Sequence, residues 1–220
     1  MAESGQRSVL DGIALVTTYA VNPFILPPVF LLLVRTSLGA VDRQLTVLVV
    51  ATVFYFVLPV ALLIVLRRMD LVDSIEVRSR RKRSLPYAAG IALSTLAIPA
   101  LWLASNRNGF IAALMSVFAV NLVLLFLINR RTKISVHAAG ISGLAALAWF
   151  LFLLRSGISD AGSPLSADHV AFLSALVLLV CWSRVRLGAH TVREVSVGTV
   201  FGFCITLAEL FVLYRVDNLL

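Results

Sequence analysis

Seven long apolar runs, each closed by charged residues, constrain this chain more than any short motif does. They cover roughly residues 12–34, 45–66, 87–104, 110–128, 135–154, 169–182 and 195–214. About 20 apolar residues in a helix cross the hydrocarbon core of a bilayer. Backbone polar groups find no water there, so each run must bond its own N–H and C=O groups as a helix. The expected fold is therefore all-α: a polytopic transmembrane helix bundle of about six to seven spans, forming a single domain over residues 1–220. Composition agrees, since 60% of the 220 residues are hydrophobic, whereas a soluble domain is nearer half.

Details within the runs sharpen this expectation. The first carries Pro23, Pro27 and Pro28, so it is expected to kink or break. It continues well beyond signal-peptide length with no small-residue cleavage site, and reads as a retained helix. The sixth run is the shortest and could tilt or re-enter. Tyr87, Trp102, Trp182 and Tyr214 fall near run ends, as an interfacial aromatic belt requires. Cys181 and Cys204 lie inside apolar runs without metal-ligand spacing and read as buried, inert thiols. Asn121 is expected to bond to a neighbouring helix. Glu209 is expected near the headgroups on the side away from Glu194.

The formal charge of +8 reads as loop charge facing anionic headgroups or an anionic substrate, not nucleic acid. Fourteen of the 19 Lys and Arg residues fall on the side of the N-terminus, which the positive-inside rule makes cytoplasmic. The loops after the second, fourth and sixth runs share that side. They hold the basic run 78–83, the segment Lys133-Ile134-Ser135-Val136-His137, and the segment from Ser183 and Arg184 through His190 to Glu194.

These are the parts needed to break a phosphate ester. A neutral imidazole can attack phosphorus when a carboxylate holds its other nitrogen. His190 and Glu194, four residues apart, can meet at the start of the last run. His137 can protonate the leaving oxygen. Arg184 and Lys133 can clamp phosphate oxygens, Ser135 can add a hydrogen bond, and two helix N-termini can face the anion.

The same residues resemble the type 2 phosphatidic acid phosphatase superfamily. Its third motif is Ser-Arg, five residues, His, three residues, Asp. Ser183, Arg184 and His190 match it, with Glu194 in place of Asp. Its second motif, Pro-Ser-Gly-His, reads Ile134-Ser135-Val136-His137 here. Its first, Lys, six residues, Arg-Pro, reads Arg78, Leu85 and Pro86, so Arg80, Arg83 or Lys133 would stand in for the missing cations. The resemblance covers residues 78–194. It implies a phosphohistidine on His190, His137 as acid, no metal or other cofactor, a lipid or polyprenyl phosphate or diphosphate as substrate, and a periplasmic site, opposite to the charge count. Oligomeric state is not legible.

Three other functional classes leave their own signs in a sequence. Gly140-Ile141-Ser142-Gly143 with Ala189-His190 is similar to the serine and histidine motifs of rhomboid intramembrane proteases. A transporter would show polar groups at mid-bilayer and broken helices in paired positions. A CDP-alcohol transferase needs an Asp-rich metal site, and the 11 acidic residues form no such cluster. His169, with Asp168 beside it, reads as a solvated residue on the opposite side.

Overall fold

In a computed structural model of the chain, residues 8–38, 43–72, 84–156 and 165–217 are described. Among them there are eight helices and no strand. They are α1 (Val9–Ala20), α2 (Leu26–Leu38), α3 (Gln44–Arg68), α4 (Ser84–Ala104), α5 (Gly109–Asn129), α6 (Val136–Ser156), α7 (Ala167–Arg186) and α8 (Val192–Asp217). The six from α3 to α8 are long and apolar enough to cross a membrane. The protein is an integral, multi-pass membrane helix bundle.

The first run breaks in two, and proline chemistry accounts for the position. In the turn between the halves, Ile25 N donates to Asn22 O and Phe24 N to Asn22 Oδ1. Asn at the first turn position and Pro23 at the second suit such a turn. Pro27 and Pro28 then fall in the first turn of α2, where an N–H has no intrahelical partner to lose. Neither half alone is of spanning length. The sixth run is longer than its apolar stretch suggests: α7 is a full helix of 20 residues. In α3 a π-helical turn at Val53–Val57 precedes Pro59. Pro59 has no N–H for the Tyr55 carbonyl, and its ring crowds that carbonyl. The wider turn, with Leu58 N bonded to Val53 O, relieves the conflict.

Helix α6 is the axis of the bundle. In its spanning segment 67% of residues are buried, against 22–33% in the other spans. Its main partner is α8, and the contact is backbone on backbone. A Cβ on Gly198 would stand 2.7 Å from the Ser135 carbonyl oxygen; one on Gly202 would collide with the Ala139 carbonyl. Without a hydrophobic drive between helices in lipid, such close approach supplies the attraction. On the other flank, Phe30 packs edge-on against Phe118 at 4.9 Å.

Glu209 lies in the half of α8 distal to Glu194, eight residues before the helix ends at Asp217, or ~12 Å at 1.5 Å per residue. There Glu209 Oε2 accepts from Asn121 Nδ2 at 3.0 Å. The expected helix-to-helix role of Asn121 is seen directly, since its amide also bonds to Thr206 at 3.1 Å.

Candidate active site

The end of the bundle that holds the N-terminus of α8 is stitched by short polar contacts. Arg186 donates to Asp11 at 2.8 Å and to Ser8 at 3.0 Å, placing the start of α1 at the end of α7. Asn129 donates to the Tyr87 hydroxyl at 2.9 Å and accepts from Ile134 N at 3.2 Å. Ser135 N donates to the Glu194 carbonyl at 3.2 Å. The starts of α4, α6 and α8 and the ends of α5 and α7 therefore share one face.

His190 is presented by the way α7 stops. Gly188 has φ +63°. Its N–H bonds to Val185 O while Ala189 N bonds to Arg184 O, the paired bonds that close a helix on a left-handed residue. That turn delivers His190 directly before Thr191, which starts α8. Thr191 and Glu194 form a capping box: Glu194 N donates to Thr191 Oγ1 and Thr191 N to Glu194 Oε2, each at 3.3 Å. The Thr-x-x-Glu signal was present in the sequence but unread. His190 and Glu194 therefore meet across the helix start, not on one helical face.

One carboxylate oxygen gathers three donors. Glu194 Oε2 lies 2.8 Å from His190 Nδ1, 3.3 Å from Lys133 Nζ, and bonds to Thr191 N. A carboxylate only accepts, so Nδ1 carries the proton and the lone pair of the neutral ring is on Nε2. The ring is 9% exposed. Burial pushes its pKa down to about 4; the bond to Glu194 works against this, and the charges of Lys133 and Arg184 add to it. The imidazole is thus neutral at ordinary pH.

The other expected site residues are in varied states. Lys133 also donates to Ala189 O at 3.0 Å and is partly exposed. Arg184 is 3% exposed and is the only buried charged residue among those described. Ser135 is fully buried and caps α6, its Oγ accepting from Ala138 N at 3.3 Å. Ser183 is buried too; its hydroxyl lies 3.2 Å from Thr18 and donates to Val180 O, joining α7 to α1. His137 is the second residue of α6, half-buried, two positions from the Ser135 contact with α8. Arg78, Arg80 and Arg83 lie outside the described residues. Leu85 and Pro86 form the first turn of α4, with Leu85 exposed.

Geometry separates the serine and histidine of the protease-like pattern. Ser142 Oγ is buried, donates to Ala138 O at 2.7 Å and sits over Gly202, ~15 Å along α8 from its start at Val192. His169 caps its own helix, its Nδ1 accepting from Ser166 N at 3.2 Å, which fits the solvated reading.

Among known proteins no family model, curated protein or solved structure matches this chain. Fold and site define a class, a multi-pass membrane bundle with a histidine–carboxylate pair at one end.

Proposed function

We propose that the protein is a membrane phosphatase that hydrolyses a lipid or polyprenyl phosphate or diphosphate through His190. The observation that supports this most is the 2.8 Å contact of His190 Nδ1 with Glu194 Oε2, next to Lys133 and Arg184. The lone pair on Nε2 attacks the terminal phosphorus, and the P–O bond breaks to the lipid alcohol or, in a diphosphate, to the lipid monophosphate. Protonated His137 gives its proton to the departing oxygen. Glu194 stabilises the positive ring of the phosphohistidine. Water then attacks phosphorus, His137 takes its proton, and the N–P bond breaks to release phosphate and neutral His190. Arg184, Lys133 and the arginines of the 78–83 run offset the charge on the transferring group. Substrate from the bilayer reaches this face without leaving the membrane surface.

His190→Ala is expected to abolish phosphate release from phosphatidate, phosphatidylglycerol phosphate, a polyprenyl diphosphate and a lipid A phosphate, while wild type keeps its activity in EDTA. Phosphate release by His190→Ala at the wild-type rate overturns the reading.

A further inference from the structure

A cavity of about 170 Å³ lies between α2, α3, α4, α5, α6 and α8. None of the His190 site residues lines it. Its walls are mostly apolar, with Phe30, Phe54, Phe118 and Phe201 among them. An apolar hole would on its own accept any hydrocarbon. Two polar groups in its lining point to something more selective.

The first is Tyr55. It lines the cavity and is 5% exposed, yet its hydroxyl has no hydrogen-bond partner among the described residues. It stands in the π-helical turn of α3, a distortion often found where a side chain is re-aimed for function. The second is Asn121, whose Oδ1 is buried and likewise without a partner there. An ionised Glu209 holds the amide in one orientation. Its nitrogen donates to Thr206 Oγ1 at 3.1 Å and to Glu209 Oε2 at 3.0 Å. A flip would set oxygen against oxygen at Glu209. Asn121 therefore offers an acceptor, and Glu209 Oε1 behind it is a second buried acceptor with no partner. Buried groups left in this state are costly, and a ligand that carries a donor removes the cost.

We propose that this cavity binds an apolar molecule bearing a hydroxyl group, the hydroxyl donating to Asn121 Oδ1 and meeting Tyr55, and the hydrocarbon body lying among the phenylalanines. The polar floor of Asn121 and Thr206, with Glu209 behind it, selects the alcohol over the matching hydrocarbon.

The test uses the full chain in phosphatidylcholine nanodiscs, with radiolabelled decanol and decane as probes and empty discs as background. Decanol is expected to bind saturably above background, about three- to tenfold more tightly than decane, as one additional buried hydrogen bond allows. Asn121→Leu should bring that ratio to about one. Tyr55→Phe, which removes a single oxygen and keeps the ring, should lower it about twofold or more, and it carries the test if Asn121→Leu fails to fold. Equal binding of the two probes, binding no greater than to empty discs, an unchanged ratio in both variants, or uptake of decylammonium with no uptake of decanol would each overturn the proposal.

Discussion

The two sides of α6 are built by opposite rules. Toward α8, glycines bring backbone onto backbone, and polar contacts at the end of the seam reach 2.8 Å. Toward α3, α4 and α5, aromatic and leucine side chains stand off from α6 and leave a cavity with unsatisfied polar atoms. The difference lies in side-chain size at the contact. Gly198 and Gly202 permit close approach, so the Ser135 amide can reach the Glu194 carbonyl. Phe30 and Phe118 hold their helices apart. Close packing is placed where atoms must be held to a fraction of an ångström, and looser packing where something could enter.

Substitutions should separate the two sides, beginning with the most damaging. Gly202→Val drives a side chain into the Ser142 hydroxyl and the Ala139 carbonyl, and the carbonyl belongs to helix backbone that cannot give way cheaply. A loss of at least about 3 kcal/mol is expected, above the usual range for overpacking, seen as collapse of the thermal transition in detergent. A wild-type melting profile would show that the seam is not close-packed.

Acid should open the same seam at its end. Unfolded, His190 takes a proton below about its ordinary value of 6.5; folded, it refuses one until about 4. The unfolded state thus binds more protons in that window, and stability falls as pH drops from 6.5 to 4. The loss approaches roughly 3 kcal/mol at 1.36 kcal/mol per unit. His190→Gln should flatten the Tm–pH curve in that window, and an unflattened curve would place the effect elsewhere.

Thr191→Ala asks whether Glu194 serves the helix or the histidine. It removes half of the capping box, so about 1 kcal/mol of stability should go, while phosphate release persists because the His190 contact is untouched. Activity lost in parallel with stability would mean that the carboxylate acts mainly as a cap. The mildest change is on the cavity side. A Cβ on Gly90 would meet only Leu122 Cδ2, the far end of a flexible side chain, at 3.0 Å. Gly90→Ala should fall within about 1 kcal/mol of wild type, since the gain in helix propensity offsets the crowding. If Gly202→Val and Gly90→Ala shift Tm alike, the contrast between the two sides is wrong.

Much of the bundle was legible because lipid enforces helices wherever apolar runs are long. The break in the first run could be read from its prolines, and the turn at Asn22-Pro23 lies among them. The π turn ahead of Pro59 could not, because a proline within an apolar run reports a conflict and not how the helix resolves it. The last helix ends at Asp217, three residues beyond the apolar run, because apolarity marks the lipid-facing stretch and not the helix end. The spacing of His190 and Glu194 anticipated their contact, but not the Thr191 cap or the Lys133 bond to Ala189 O that fix it. Burial of Ser135 and Ser183 depends on which helices pack together, and a motif does not carry that.

The carboxylate of Glu194 belongs to the first turn of the last helix, while Lys133, one of its three donors, comes from a segment made much earlier. A growing chain can place α1 to α7 in the bilayer and still have no organised histidine. The imidazole acquires its orientation only when α8 enters beside α6, so assembly of the bundle and readiness of the site coincide in one late event.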